Sequence, residues 1–189
     1  MQPVGGNTKI LKENSSQRNA RSLIVDMDRI KIKPIEQHQI GDAKRVILTV
    51  GQKIYQWEAT PEEIFKLFDQ QGELADIDNY QSYYFEQCGL FLVVVDNNQV
   101  IGTGAIRRID DSICELKRLW LLEKYQGKGI GYRVLRELIK FAQEKGYKKI
   151  WLETDNEQKR AIRFYQRAGF QSIEKYNNRN SDNYMEMEI

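Results

Sequence analysis

Three glycines alternate with other residues where an apolar segment gives way to an amphipathic one. They are Gly127, Gly129 and Gly131, and Gln126 precedes them. Glycine has no Cβ and adopts unusual φ values, so successive backbone N–H groups can converge on one point. A helix that begins here adds about half a unit of positive charge at its N-terminus. The spacing therefore predicts a phosphate site, and the neighbouring Lys128 suits an anion.

Two common phosphate-binding motifs do not fit this loop. A P-loop requires G-x-x-x-x-G-K-[ST], and the sequence has no such run. A dinucleotide-binding loop requires a third glycine, and the chain has Tyr132 and Val134 at the two positions where it would stand. Two interpretations stay open, namely a phosphate ligand of another kind and a plain glycine loop.

Groups for metal, nucleophilic or acid–base chemistry are scarce. The chain has one histidine, His38, and two cysteines, Cys88 and Cys114. These numbers exclude zinc fingers, HExxH proteases and most disulfide scaffolds, and we expect no metal site. His38 lies near the first predicted strand, and we interpret it as a surface residue. Any acid–base catalysis would therefore depend on carboxylates and tyrosines.

The composition is that of one globular domain with a polar tail. The 189 residues are 41% apolar and 30% charged with a net charge of +2, which disfavours overall disorder and a strongly basic nucleic-acid binder. Residues 1–22 carry four cations and one anion, and we interpret them as a mobile tail before a single domain at 23–189. No run approaches the roughly 20 apolar residues that span a membrane. Isolated cysteines favour a cytoplasmic protein.

Hydrophobic spacing predicts the elements that position these residues. The predicted strands are 30–35, 90–96, 99–109, 113–122, 149–154, 171–176 and 184–189. The predicted helices are 42–50, one that begins after a capping box of Thr60 and Glu63, 130–145 and 157–168. Residues 76–86 stay unassigned. An antiparallel meander followed by alternating helices and strands indicates a mixed fold of the α/β or α+β kind.

The glycine loop and two further segments resemble the GNAT superfamily of acetyl-CoA-dependent N-acetyltransferases. Residues 126–131, QGKGIG, fit that family's Q/R-x-x-G-x-G/A signature. Residues 115–121, ELKRLWL, look like its fourth strand, and residues 161–170, AIRFYQRAGF, look like its A-I-x-x-Y-x-x-x-G-F segment. The resemblance implies a GNAT-like fold for 23–189, with a central, mostly antiparallel sheet of six to seven strands flanked by about four helices.

The resemblance also implies how acetyl-CoA, the family's co-substrate, would bind. The pyrophosphate would lie on the glycine loop, and the pantetheine arm would pair with the fourth strand like an added strand. A backbone amide near Leu121 would polarise the thioester carbonyl. Gln158 stands where the family often has an asparagine that contacts the cofactor. The implied cofactor-binding residues are Leu119, Trp120, Leu121, Gln126, Gly127, Lys128, Gly129, Ile130, Gly131, Tyr132 and Gln158.

Three residues are candidates for catalysis. Tyr165 matches the family's tyrosine that protonates the departing thiolate, although its helical position also suits the core. Glu153 matches a catalytic glutamate of some members, and Glu115 lies on the strand before the loop. Either carboxylate could deprotonate the acceptor amine, directly or through water. Each could equally be an ion-pair partner, and for Glu115 the alternation of the strand favours a surface pair with Lys117.

We therefore expect an N-acetyltransferase in which a primary amine attacks acetyl-CoA directly in a ternary complex. The acceptor would be a small molecule or a peptide, and we expect neither a nucleic-acid nor a membrane partner. Because the family often forms dimers, a homodimer stays open. Two alternative functions are a non-catalytic acyl-CoA-binding sensor or scaffold on the same fold and a nucleotide-binding protein of another class. The acceptor pocket is implied to include Tyr80, Tyr83, Tyr84, Glu86, Asn178 and Asp182.

Overall fold

A computed structural model describes residues 25–189, and the predicted tail at 1–22 lies outside the described residues. The strands are β1 (Lys31–Pro34), β2 (Leu90–Asp96), β3 (Gln99–Arg108), β4 (Ile113–Leu121), β5 (Lys149–Thr154), β6 (Gln171–Ser172) and β7 (Asn183–Glu188). The α-helices are α1 (Ile40–Tyr55), α2 (Pro61–Gln71), α3 (Ala75–Asp78), α4 (Tyr80–Tyr83), α5 (Ile130–Glu144) and α6 (Lys159–Ala168). Short 3₁₀ turns lie at Met27–Arg29, Gln37–Gln39, Phe85–Gln87 and Glu123–Tyr125.

The strands form one sheet in the order β1-β2-β3-β4-β5-β7-β6. Every neighbouring pair is antiparallel except β4 and β5, which run parallel. Their pairing extends only from Ile113 opposite Lys149 to Glu115 opposite Trp151. Strand β4 continues to Leu121, so the two strands diverge after Glu115 and leave a gap in the sheet. The prediction of a mostly antiparallel sheet of six to seven strands is confirmed.

Side-chain alternation gives each face of the sheet its own core. The core against α5 and α6 includes Cys114, Leu116, Leu135, Leu138, Ile150 and Leu152. The core on the side of α1 to α4 includes Ile47, Ile77, Tyr84, Phe91 and Val93. Since helices cover both faces, the gap between β4 and β5 is where a ligand can reach the middle of the sheet.

Most predicted elements are present, and the differences have local causes. Thr60 and Glu63 form the predicted capping box ahead of α2. The predicted strand at 171–176 is wrong beyond Ser172, because the chain turns so that Tyr176 packs on Trp151 with ring centroids 4.7 Å apart. There are six described α-helices against the four predicted, since the unassigned stretch holds the single-turn helices α3 and α4.

Candidate functional site

The gap between β4 and β5 opens into a cleft with a volume of about 1020 Å³. One wall is formed by residues 119–122, which are the end of β4 and the residue after it. The opposite wall is α6, and the first turn of α5 closes one end. The C-terminal half of α1 contributes Thr49, Val50, Lys53 and Ile54 from the other face of the sheet. The cleft therefore passes through the sheet and is open to groups from both of its faces.

The glycine loop, residues 126–131, borders this cleft at the start of α5. Gly127 and Gly129 have φ values of +75° and +79°, in the left-handed region that favours glycine. Gly129 is the N-cap of α5, whose first N–H groups have no partner within the helix. The Gln126 side chain donates from Nε2 to the carbonyl of Leu121 at 2.6 Å and so ties the loop to the end of β4. The loop has the geometry of an anion site.

A bulge in β4 lies directly before the cleft wall. Arg118 has a φ of +54°, and its carbonyl accepts a hydrogen bond from Thr103 Oγ1 at 2.6 Å. Its guanidinium donates to both carboxylate oxygens of Asp76, at 2.7 and 3.1 Å. Burial alone would raise the pKa of Asp76, but the hydrogen bonds and charge of Arg118 outweigh it, and the pKa is lowered. This ion pair fixes the point where β4 bends towards the cleft.

Tyr165 belongs to the core and also borders the cleft, and its role as a proton donor stays a prediction. Its ring is 8% exposed and packs edge-on against Phe164 and Phe170, with centroids 5.4 and 5.6 Å away. It also lines the cleft. Burial raises the pKa of the Tyr165 phenol, so it stays protonated at neutral pH. Within residues 25–189 its hydroxyl has no hydrogen-bond partner, which leaves the proton available to a ligand.

Both candidate bases lie outside the lining of the cleft. Glu115 is fully buried, accepts from the Tyr176 hydroxyl at 3.0 Å and pairs with Arg107 at 2.9 Å. Glu115 also pairs with Lys117 at 3.5 Å, as the strand alternation predicted. The prediction that this pair lies on the surface is wrong, because both side chains are enclosed.

Glu153 accepts from Asn177 at 2.8 Å and from Arg179. Burial alone would raise the pKa of Glu153, but these two hydrogen bonds outweigh it and lower the pKa. The Glu153 carboxylate is therefore ionised at neutral pH and fixed in place by these hydrogen bonds. Neither Glu115 nor Glu153 touches the cleft directly, so their catalytic role stays a prediction.

Most of the predicted cofactor-binding residues lie along the cleft. Nine of them line it, namely Leu119, Trp120, Leu121, Gln126, Gly127, Gly129, Gly131, Tyr132 and Gln158. Lys128 is exposed beside it, and the Ile130 side chain is buried in the core, which leaves only its backbone to the first turn of α5. The amide of Gln158 donates to the Tyr55 hydroxyl at 2.7 Å.

The sequence model of the Acetyltransferase (GNAT) family matches residues 52–170 of this chain. The chain belongs to the GNAT family. The match covers α2 to the end of α6, and so it includes the meander, the glycine loop and Tyr165. Membership and the mixed α/β fold, both expected from the sequence, are confirmed.

Two curated relatives are N-acetyltransferases by name. Human N-acetyltransferase 8B is 32% identical over 101 residues, which are 50% of this chain and 44% of that protein. The uncharacterized N-acetyltransferase YjgM of Escherichia coli is 30% identical over 102 residues, which are 52% of this chain and 61% of that protein. The chain thus spans about half the length of the curated relatives it matches.

Solved structures share the fold of this GNAT domain. A GNAT-family acetyltransferase from Staphylococcus aureus superposes with a TM-score of 0.73 at 20% identity, over 84% of this chain and 98% of that one. The PaiA N-acetyltransferase from Thermoplasma acidophilum, solved in complex with coenzyme A, gives 0.69 at 24% identity, over 85% and 99%. No helix within residues 25–189 is long and apolar enough to cross a membrane.

The sequence motifs do not indicate two groups of residues that line the cleft. Arg160, Arg163 and Arg167 line the cleft from α6. Their helical spacing was a usable signal, since such positions share one face. The α1 residues gave no such signal, because α1 reaches the cleft only through tertiary packing more than sixty positions away in sequence.

Cations outnumber anions along the lining of the cleft. The cations are Lys53, Lys124, Arg160, Arg163 and Arg167, and the anions are Glu123 and Glu157. The Lys53 ammonium pairs with Glu123 at 2.5 Å, which connects α1 to the segment before the glycine loop. This excess of positive charge beside a helix N-terminus suits a ligand with several negative charges.

Proposed function

We propose that this GNAT-family protein is an acyltransferase that transfers the acetyl group of acetyl-CoA to a primary amine of a small molecule or peptide. The observation that carries the proposal is the cleft through the sheet, which has an anion-binding loop at one end and an available phenol in its wall. The matched relatives are named N-acetyltransferases, which supports the same activity.

The proposed cofactor position follows from the groups that face the cleft. The pyrophosphate accepts hydrogen bonds from the N–H groups of the glycine loop, and the cations of α6 lie within the same lining. The pantetheine arm lies along residues 119–121, where β4 has no pairing with β5 in the described part of the chain. Main-chain hydrogen bonds of an added strand would hold it there.

The proposed chemistry is a direct transfer within a ternary complex. The neutral amine attacks the thioester carbonyl carbon, and the oxyanion that forms is stabilised by a backbone amide near Leu121. The C–S bond then breaks, and the Tyr165 hydroxyl donates its proton to the departing sulfur. The nitrogen becomes cationic on attack and gives its extra proton to a water molecule that Glu115 or Glu153 orders. Proximity of the two bound substrates supplies much of the rate.

A second candidate, a non-catalytic acyl-CoA-binding sensor or scaffold, is favoured by one observation. Both candidate bases are held by cations, Glu115 by Arg107 and Glu153 by Arg179, and neither lines the cleft. Such carboxylates are weak bases. A protein that binds acetyl-CoA through the same loop without transferring its acetyl group would have this arrangement.

The test is a turnover screen with acetyl-CoA over amino acids, polyamines, aminoglycosides and peptide N-termini. We expect release of the coenzyme A thiol with at least one class of amine, together with the acetylated amine by mass spectrometry. Binding of acetyl-CoA without release for any amine would instead support the sensor. Competition by adenosine phosphates that lack the pantetheine arm, at the affinity of coenzyme A itself, would support a nucleotide-binding protein.

A further inference from the structure

A group of charged side chains lies on the α1–α4 face of the sheet, next to the cleft but outside its lining. We call Arg107, Glu115, Lys117, Glu153 and Arg179 the charged cluster. The first four stand on three neighbouring strands, β3, β4 and β5, and Arg179 comes from the segment between β6 and β7. The cluster is thus assembled from segments that are far apart in sequence.

The carboxylates of the charged cluster are neutralised by its own cations, and among residues 25–189 the buried Glu115 Oε2 has the charge of Arg107 beside it but accepts no hydrogen bond. Glu115 pairs with Arg107 at 2.9 Å and lies 3.8 Å from Arg179, and Glu153 pairs with Arg179. Three cations therefore surround two carboxylates, and one positive charge is left over. A polyamine or another multiply charged cation would be repelled from such a site.

Some donors of the charged cluster are not used. Within residues 25–189, Lys117 Nζ has one acidic partner, Glu115 at 3.5 Å, which is beyond good hydrogen-bond distance. Arg107 Nε is buried and has no hydrogen-bond partner among the described residues. A buried cation with unused donors is costly unless a ligand or solvent supplies acceptors.

The charged cluster lies within reach of an acceptor bound in the cleft. Lys117 is three residues before Trp120 on β4, at most about 10 Å along the strand. Trp120 lines the cleft and packs on the α1–α4 face, and Lys117 is paired with Ala105 of the same face. The glycine loop stands at the opposite face, so an acceptor that approached the proposed thioester from the α1–α4 side would pass beside Lys117.

We infer that the acceptor is a free amino acid, whose carboxylate binds Lys117 and Arg107 while its α-amine enters the cleft. This inference rests on the proposed acetyl transfer and names its substrate class. Burial lowers the pKa of Lys117, as do the neighbouring Arg179, Arg118 and Arg107, while Glu115 opposes the shift. A bound carboxylate adds the missing negative charge and holds the ammonium protonated.

The experiment compares amino acids with their matched carboxamides at equal concentrations of free amine. Because the amide cannot form the charge-assisted hydrogen bonds of the acid, its kcat/KM should be at least about tenfold lower. The Lys117→Met variant, which keeps the length of the side chain, should lose most of this preference through a higher KM for the acid. The control is Lys140→Met, which removes a 70% exposed lysine from α5 and should leave the preference unchanged.

A second measurement uses the wild-type chain alone and so does not depend on how the variant folds. Calorimetry with coenzyme A present should show tighter binding of an N-acetyl amino acid than of its amide. Equal or undetectable binding of the two would overturn the inference, as would equal turnover of acids and amides. If no amine is acetylated but the acid product still binds in preference to the amide, the proposed transfer fails and the carboxylate site stands.

Discussion

On the α5–α6 face, the cleft is bordered by one continuous loop that offers backbone N–H groups, whereas on the α1–α4 face it is flanked by side chains from four separate segments. Gly127 and Gly129 create the first arrangement within three residues. The second requires β3, β4, β5 and the segment before β7 to come together around Glu115 and Glu153. Backbone recognition is thus encoded locally, and side-chain recognition is encoded by the fold.

The variant Tyr165→Phe should change the rate of the chemical step more than any other variant changes its own measurement. Removing the proton donor should lower kcat by about 10²- to 10⁴-fold with little change in KM for acetyl-CoA. Because burial raises the pKa of Tyr165, the wild-type rate should show no loss from ionisation of this group up to its ordinary value near 10. Steady-state kinetics across pH check both expectations. Unchanged turnover across pH would remove Tyr165 from the mechanism.

The next effect tests the glycine loop through Gly129→Glu. The new side chain adds bulk and a like charge at the predicted pyrophosphate site, so calorimetry should show at least a 100-fold loss of acetyl-CoA affinity. The matched control is Gly146→Glu at the other end of α5, where φ is +86° and the space around Cβ is equally open. Because both positions have a positive φ, both variants carry backbone strain. Equal affinities of the two would contradict the loop assignment.

A smaller effect concerns the bulge on the α1–α4 face and uses Asp76→Asn. The variant leaves the Arg118 guanidinium, 22% exposed, without its carboxylate, so unfolding free energy should fall by about 3 kcal/mol. The pKa of Asp76 is lower in the folded state than in the unfolded state. The ionised carboxylate therefore stabilises the fold at pH values above the unfolded-state pKa, and this stabilisation is lost as the pH falls through the folded-state pKa. Urea unfolding at pH 7 and pH 3 should show the difference between variant and wild type narrowing at pH 3. A constant difference would contradict the account.

The smallest effect concerns the link from α1 to the segment before the glycine loop. Lys53 and Glu123 are 64% and 70% exposed, and water and salt screen the attraction between exposed charges. Lys53→Met should therefore leave the unfolding free energy almost unchanged in urea titrations. A larger loss would mean that the two sides of the cleft are coupled more strongly than their exposed contact implies.

The difference between features encoded locally and features assembled by the fold explains which parts of the structure the sequence could predict. The glycine loop, the capping box of Thr60 and Glu63, and the strands of the meander depend on neighbouring residues, and the structure contains all of them. The family resemblance, which rests on such local motifs, is confirmed by the match over residues 52–170.

Features that depend on distant contacts were not predictable in this way. The strand expected at 171–176 is cut short because Tyr176 packs on Trp151 across the sheet. The enclosure of Glu115 depends on Arg107, 8 positions away on another strand, and on Arg179. The hydrophobic periodicity of the sequence does not predict these contacts, because strand register and loop packing determine which charged side chains lie next to each other.

We propose above that the cleft brings acetyl-CoA and an amine together for direct transfer. The most direct measurement incubates the wild-type chain with acetyl-CoA and an amino acid and quantifies coenzyme A and the acetylated amine in the same sample. We expect equal amounts of the two products with the wild-type chain, and neither product above background with Gly129→Glu. Thiol release without acetylated amine, or acetyl-CoA binding with no product from any amine, would contradict it.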